Sequence, residues 1–549
     1  MMAGAATAVW CLSNVPAWWR YRRALDAPAA VQERLLLGYV RRNADTVFGS
    51  THGFGRVRSI ADYQQCVPLM RYEDYEPHVR RIARGEPHVL TADRVRRLAV
   101  TGGSTSGPKL IPYTATLHAE YARGVGPWIA ELYRTRPQLA GGPAYWSITP
   151  RISPQPVPDA VVPIGFAEDS RYLGGLAHRL VDLAMAVPGC AGGLSDHDAH
   201  RSLTLLLLLR RRELRLMSVW HPSYLTLLLA AMRAQWDQLL AGIHDGGVTP
   251  AAPVRARLPS ALARRLGPDP SRARELHAAG PDACDRIWPK LGLVSCWGDG
   301  AARHLLQEVR RRLPGVPIQP KGLLATEAIV TLPFGDAVQS RPLAIRSHFF
   351  EFIEDGGRTA LAHELERGGT YEVVVTTGGG LYRYRLGDLV RVDGFVGRTP
   401  SLWFIGRAAQ ISDLVGEKLH EAFVASVIAR LFRGACAPAF AMLAPEHTAA
   451  GQSYTLFVET DEHLGPDVNE RLERALCENP HYALAVALGQ LAPSRVSRIR
   501  DGFEVFARRA AGRGRRLGDV KPVALDLEGG WSDAFERGAM VDAPRAGTC

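Results

Sequence analysis

Three short segments of this chain bring enough hydroxyls, amides and charges together to handle phosphate. The first is Thr101-Gly102-Gly103-Ser104-Thr105-Ser106-Gly107-Pro108-Lys109, which follows the strand-like run Leu98, Ala99, Val100. Its hydroxyls, its backbone amides and the Lys109 ammonium can surround phosphate oxygens. It is not the mononucleotide P-loop. Gly102 and Gly107 have the required spacing, but Pro108 stands at the lysine position and Leu110 where Ser or Thr would hold magnesium. Nor is it a nucleophile elbow, because Thr105 occupies the place of the serine.

The second segment is Thr326-Glu327, just before the apolar run Ala328 to Leu332. A hydroxyl beside a carboxylate at a strand end can touch a phosphate oxygen and carry magnesium, a hard cation held by one or two carboxylates plus substrate phosphates. The third is Leu381-Tyr382-Arg383-Tyr384-Arg385-Leu386-Gly387-Asp388, after the triple glycine Gly378 to Gly380. Alternating Tyr and Arg reads as a two-faced strand, and Gly387 is expected to turn the chain so that Asp388 is exposed. An acceptor-only carboxylate there can take both hydroxyls of a ribose. Taken singly, each segment also reads as an ordinary loop, strand end or surface hairpin.

Lysine usage draws the eye to the same places. Arginine supplies nearly all the basic charge, and the lysines are five: Lys109, Lys290, Lys321, Lys418 and Lys521. A lysine kept in such a background suits a site that wants a compact, mobile point charge instead of a planar fork, although compositional drift leaves the same trace. Lys418 lies in Gly416-Glu417-Lys418-Leu419-His420-Glu421, shortly after Gly406-Arg407, and Lys521 in Gly518-Asp519-Val520-Lys521-Pro522.

The elements that must position these groups alternate in type. From Ala29 to about Arg81 apolar residues recur at helical spacing, and the spacing predicts further helices over His118–Tyr133 and Ser202–Leu240. Between Leu291 and Gly394 the texture changes to short β-rich runs: Leu291–Cys296, Ala328–Leu332, Phe349–Ile353, Tyr371–Thr376 and Leu389–Val392. After Gly406 come a helix over Glu417–Phe432, a strand over Tyr454–Glu459 and a helix over Val468–Glu478. At 549 residues the chain exceeds one ordinary core. The expectation is an α/β protein with mixed sheets, a large N-terminal domain over residues 1–411 and a small C-terminal α/β domain over residues 412–549.

Composition excludes several classes. The formal net charge of +11 is spread along the sequence, and its dense runs (210–212, 310–312, 513–516) lack the interleaved aromatics that stack bases, so no nucleic-acid partner is expected. The uncharged first 19 residues imitate a secretory signal, but no basic segment precedes them and Trp10, Trp18 and Trp19 interrupt them, which favours a helix packed on the body. The Leu205 to Leu209 run is too short to cross a bilayer, so no integral membrane segment is expected. Eight scattered cysteines without a C-x-x-C pair read as reduced thiols in the cytoplasm. Asp196-His197-Asp198-Ala199-His200 has its histidines three apart, not the four of a helical zinc pair. Ser218-Val219-Trp220-His221-Pro222-Ser223 suits either the wall of an acyl pocket or a packed helix junction.

In their order, these segments resemble the auxin-responsive acyl acid amido synthetases of the Gretchen Hagen (GH-three) family, within the adenylate-forming superfamily of acyl-CoA synthetases and luciferases. The most specific match is the block from Thr376 to Asp388, which contains Gly380-Leu381-Tyr382-Arg383-Tyr384-Arg385. The likeness runs from Arg41-Arg42-Asn43-Ala44-Asp45-Thr46-Val47-Phe48-Gly49 to Lys521. It departs in the phosphate loop, one residue short between Gly107 and Lys109. It departs again in Glu417 to Glu421, where only Lys418 and Glu421 match the family's D-K-T-x-E element.

The resemblance implies a large domain with a small β-barrel-like part, a mobile C-terminal domain, and ATP with magnesium as cofactors. It also implies roles. Ser104, Thr105, Ser106 and Gly107 would hold the β and γ phosphates together with Lys109, and Thr326 the α-phosphate. Glu327 would bind magnesium, Asp388 the ribose, and Arg407 the nucleotide near the hinge. Lys418 and Lys521 would reach the nucleotide or the carboxylate from the small domain. The implied reaction joins a carboxylic acid to AMP and passes the acyl group to an amine, expected to be an amino acid. An acyl-CoA ligase with a thiol acceptor and a non-catalytic acyl- or nucleotide-binding protein remain as alternatives, and the sequence defines neither the acid, the amine nor the oligomeric state.

Overall fold

The computed structural model describes the chain except for residues 1, 102–108, 148–159, 166–182, 190, 192–196, 248–261, 263–264, 300–301, 336–339, 355, 409–410, 413, 416, 418, 434–436, 449–450, 513–519, 521 and 542–549. Five helices lead in: α1 (Met2–Ala24), α2 (Pro28–Arg42), α3 (Val47–Thr51), α4 (Ile60–Cys66) and α5 (Tyr72–Ala83). The N-terminal helix packs on the body as its apolar face requires. Trp10 and Trp18 are buried, and the Trp18 indole N–H donates to Glu131 at 2.6 Å. Ser59 starts α4 with a reciprocal capping box to Asp62.

A hairpin follows, β1 (Arg97–Thr101) against β2 (Lys109–Tyr113), with Thr101 opposite Lys109. Its connecting residues 102–108 lie outside the described residues. Helix α6 (Ala115–Thr135), capped by Thr114, then crosses the body.

The centre of the large domain is a parallel sheet in the order β3 (Ala144–Trp146), β4 (Leu216–Ser218), β5 (Leu293–Cys296), β6 (Ile318–Pro320). Parallel sheets are covered on both faces, and β4 and β5 are buried at every position. The Leu205–Leu209 run is fully internal, on a helix over His197–Leu209 that packs on this sheet's core. The helical stretch expected over Ser202–Leu240 is interrupted. Strand β4 intervenes, and helices over Pro222–Ala234 and Trp236–Asp245 complete the stretch. Helical apolar spacing cannot separate a short buried strand from the helices around it.

The barrel-like part is an antiparallel sheet in the order β11-β10-β9-β7-β8, made of β7 (Phe349–Ile353), β8 (Thr359–Leu361), β9 (Thr370–Thr376), β10 (Tyr384–Val396) and β11 (Thr399–Arg407). Ala328–Leu332 is not a strand. It makes only isolated bridges, Leu324 to Ile329 and Thr331 to Leu343, although its side chains are buried.

Beyond a short β12 (Ile411–Ser412) and β13 (Leu419–His420), the smaller C-terminal part has its own apolar clusters, drawn from Leu419 to Phe535. They pack around a sheet of β14 (Phe440–Thr448), β15 (Gly451–Glu459) and β16 (Arg495–Arg498), with a helix over Glu421–Leu431. Among the described residues no helix is long and apolar enough to cross a membrane, and Cys11, Cys66, Cys284, Cys296 and Cys477 are unpaired.

Candidate active site

Asp388 and Arg407 end up facing each other because β10 and β11 are antiparallel neighbours in a register that makes them direct partners. The Arg407 Nε lies 3.3 Å from the Asp388 carboxylate. Asp388 is 5% exposed, so the expectation of a turn that lifts it into solvent is corrected. Gly387 has φ +74, but it lies inside β10 at an irregularity between Arg385 and Leu389, not at a hairpin tip. Such a bulge re-aims a side chain without ending the strand.

The two-faced reading of the Tyr-Arg block fails for a related reason. Tyr382, Arg383 and Tyr384 are all buried, and Arg383 adopts the left-handed conformation (φ +49), so the alternation of faces is broken before β10 begins. The Arg383 guanidinium is spent on structure. It pairs with Glu351 at 3.0 Å and donates to the backbone carbonyls of Gln64 and Val67.

Thr326 and Glu327 lie on an irregular segment after β6, so their position depends on hydrogen bonds rather than on a sheet. The Tyr121 hydroxyl on α6 lies 2.6 Å from the carbonyls of both Ala325 and Thr326. Two residues past Glu327, the Ile329 N–H donates to His348 Nε2 at 3.1 Å, while His348 Nδ1 is 3.0 Å from the buried Glu120 carboxylate. The acceptor role of Nε2 puts the ring proton on Nδ1, where it donates to Glu120. Glu120 also accepts the Gly378 N–H at 2.9 Å, and a Cβ at Gly378 would overlap Thr116 and Glu120. The first glycine of the triple is thus needed for close approach, and it locks the glycine block, α6 and the Thr-Glu segment into one frame. Sequence reasoning gave no role to His348 and did not single out Glu120 or Tyr121. The pairings of Glu120 with His348 and Gly378, and of Tyr121 with Ala325 and Thr326, span more than 200 residues, a separation that leaves no local pattern.

Three motifs from distant parts of the chain share one electrostatic corner. The Glu327 carboxyl is pushed up from its ordinary range, first by burial and then by Asp388, with Arg407 and Lys109 acting against that rise. Arg407 is held more firmly protonated, chiefly by Asp388 and also by Glu327 and Glu421. Lys109 additionally sits 5.4 Å from the Tyr72 ring centroid. The corner therefore joins the end of the phosphate-loop hairpin, the Thr-Glu segment and the β10–β11 pair.

The C-terminal part adds one more carboxyl. Glu421 heads its helix and accepts the Ala524 N–H at 3.1 Å, and burial pushes its carboxyl up to about 7 against the pull of Arg407. Glu417, four residues before the helix start, is a structural staple instead. It is buried, and it accepts the Leu414 and Val415 N–H groups and the Tyr454 hydroxyl. Ser104, Thr105, Ser106 and Gly107, together with Lys418 and Lys521, lie outside the described residues.

The chain matches the GH3 family N-terminal domain over residues 20–318 and the GH3 family central domain over residues 342–407. It belongs to the GH3 family. Among GH3 relatives it is 24% identical to a putative indole-3-acetic acid-amido synthetase, GH3.9, of Arabidopsis thaliana, over 84% of each chain. It is 25% identical to the jasmonoyl–L-amino acid synthetase JAR6 of Nicotiana attenuata, over 69% of each chain. The fold matches that of the GH3.15 acyl acid amido synthetase in complex with 2,4-DB, with TM-score 0.82, 19% identity and coverage of 96% of this chain and 95% of the other.

Proposed function

We propose that this GH3 protein is an acyl acid amido synthetase that uses the corner around Glu327, Asp388 and Arg407 to join a carboxylic acid to AMP, then transfers the acyl group to an amino acid. Family membership supplies the reaction class, a ligase that adenylates acyl acids and conjugates them to amino acids. The observation that supports the placement is the convergence of Lys109, Glu327, Asp388 and Arg407, drawn from the hairpin end, the Thr-Glu segment and the β10–β11 pair.

A carboxylate is a poor acyl donor because oxide would have to leave. One carboxylate oxygen attacks the α-phosphorus of ATP and pyrophosphate departs. The amine nitrogen then attacks the acyl carbon, and AMP leaves with that carboxylate oxygen. Binding and orientation carry most of the catalysis. Asp388 accepts the ribose hydroxyls, with Arg407 holding the carboxylate in place. Thr326, anchored through its own carbonyl by Tyr121, offers its hydroxyl to the α-phosphate.

The residues present fit a magnesium ion. The Glu327 carboxylate has no ion pair among the described residues, and burial alone already disfavours its charge. A divalent cation there would neutralise the departing pyrophosphate, with phosphate oxygens completing its shell. In the phosphate loop, Ser104, Thr105, Ser106 and Gly107 with Lys109 take the β and γ phosphates. We further propose a hinge near Ile411, with residues 412–549 swinging so that Lys418 and Lys521 reach the reacting groups from the small domain. Unpaired cysteines support a cytoplasmic setting.

The test is a competition of acceptors. Purified protein, ATP, magnesium and a panel of carboxylic acids are offered an amino-acid mixture together with coenzyme A. Amide conjugates by mass spectrometry are expected. Thioesters in their place would make the protein an acyl-CoA ligase, and absence of both from a broad panel would leave a binding protein.

A further inference from the structure

One cluster stands apart from the charged corner. At the C-terminal end of the parallel sheet, Trp146, Ser218, Ser295 and Gln319 are successive register partners across β3, β4, β5 and β6, so their side chains form a row on one face. Gln319 accepts from the Trp128 indole N–H of α6 at 3.2 Å and lies 3.4 Å from the Ser295 hydroxyl. The Ser218 hydroxyl, on a residue 1% exposed, has no hydrogen-bond partner among the described residues. A hydroxyl left unpaired in a sheet core costs stability unless something else binds it.

Two residues further along, on the same side, stand Trp220 and Lys321. The Lys321 ammonium is 4.6 Å from the Trp220 ring centroid, 5.7 Å from that of Trp146 and 5.8 Å from that of Trp128. Lys321 is only 4% exposed, yet among the described residues its side chain has no carboxylate or other hydrogen-bond acceptor. Its desolvated ammonium holds its proton poorly, with its pKa down to about 7, and among the described residues the one titratable group that acts on it is Cys296. Neither Glu327 nor Asp388 contributes, so Lys321 is electrostatically outside the nucleotide corner although six residues separate it from Glu327. Trp220 is 44% exposed, so one wall of the cage faces outward. The carboxyl ends of parallel strands are where open α/β sheets bind ligands.

We propose that this cage is the far end of the acyl-acid pocket and selects a flat aromatic acid that carries a second anionic group, remote from the carboxylate being activated. The aromatic body lies against Trp146 and Trp220, and the second anion takes the Lys321 ammonium and the Ser218 hydroxyl. Lys321 is then a specificity-determining residue and takes no part in the chemistry. This assignment rests on the amido synthetase reading for the identity of the reacting carboxylate.

The test uses the full chain and two matched pairs of probes, benzoate against terephthalate and 2-naphthoate against 2,6-naphthalenedicarboxylate. Binding is followed by calorimetry at pH 8 in two buffers of different ionisation enthalpy, and adenylation by ATP–pyrophosphate exchange. A bound anion returns the proton to Lys321, so the diacid should bind with net proton uptake and be preferred over its mono-acid by tenfold or more in exchange. Lys321→Met should abolish both the uptake and the preference, and Ser218→Ala should reduce the preference several-fold without changing the uptake. Trp220→Leu, at a half-exposed position, should weaken both members of each pair equally. Exchange with mono-acids alone, or a preference that survives Lys321→Met, would overturn the proposal while leaving adenylation standing. Lys321-dependent diacid binding without exchange would instead preserve the pocket and remove the adenylation reading. A wild-type protein that binds no probe overturns the pocket.

Discussion

The charged corner and the tryptophan cage handle charge inside the protein in opposite ways. At the corner, Glu327, Asp388, Arg407, Lys109 and Glu421 offset one another, and Asp388 with Arg407 is already an ion pair. In the cage a single ammonium has three aromatic faces and no counter-ion among the described residues. A balanced set of charges suits a ligand that brings both phosphate and metal, because neither has to be neutralised by the protein alone. A lone desolvated cation suits a ligand that brings one negative group. Cation–π contact contributes roughly 2 kcal/mol when desolvated, which is less than the loss of full hydration, so the cage holds its lysine in a state that an anion improves.

The largest expected effect separates the two regions by chemistry. Glu327→Gln should slow acyl-AMP formation by about 10²–10³-fold, the range for loss of a charge aimed at the transition state, with the melting temperature little changed. Exchange kinetics and a thermal scan check this, and activity within a few-fold of the parent would remove the metal role. Next comes Asp388→Ala, which should weaken ATP about tenfold or more, corresponding to ~1.5–3 kcal/mol for a charged hydrogen bond, while acid binding in the cage is unaffected. Equal ATP affinity by calorimetry would take Asp388 out of the site.

Smaller effects report the electrostatics through pH. Burial lowers the Lys321 ammonium to about 7 in the folded chain, so it keeps its proton only below that pH, whereas in the unfolded chain it keeps it up to the ordinary lysine value of 10.5. Between those values the unfolded chain binds more protons, so stability rises with pH across that window and the full penalty is present below pH 7. Lys321→Met should therefore raise the melting temperature by several degrees at pH 6 and by much less at pH 10. Glu421 has the opposite sign. Its carboxyl titrates at about 7 when folded, above the ordinary 4.5, so the folded chain holds an extra proton between those values and stability falls as pH rises through them. Glu421→Gln should gain a degree or two at pH 8 and nothing at pH 4, by calorimetric scanning.

The corner was legible in the sequence to the extent that chemistry sits in contiguous motifs. Thr326-Glu327, Asp388 and Arg407 were each named from short segments, and the strands over Phe349–Ile353 and Tyr371–Thr376 were found because period and turn residues agree there. What positions the motifs was not legible. The path from Gly378 through Glu120 and His348 to Ile329 ties α6 to a region more than 200 residues further along the chain. The burial of Asp388 follows from a β-bulge that no composition rule marks. The cage was invisible for a different reason. Trp128, Trp146, Trp220 and Lys321 are scattered over nearly 200 residues, and it is the parallel register of β3 to β6, with α6 beside them, that brings them together. Of the five lysines, Lys321 alone acquired a meaning purely from the fold.

The fate of one oxygen atom tests adenylation directly. The acid substrate is labelled with ¹⁸O in its carboxylate and incubated with the protein, ATP, magnesium and the amino acid it accepts, and the products are resolved by mass spectrometry. One labelled oxygen is predicted in AMP, because the carboxylate oxygen that attacks the α-phosphorus leaves with it. Label in inorganic phosphate, accompanied by ADP, would mean an acyl phosphate formed at the γ-phosphorus and would contradict the placement of Thr326, Glu327 and Asp388 around the α-phosphate.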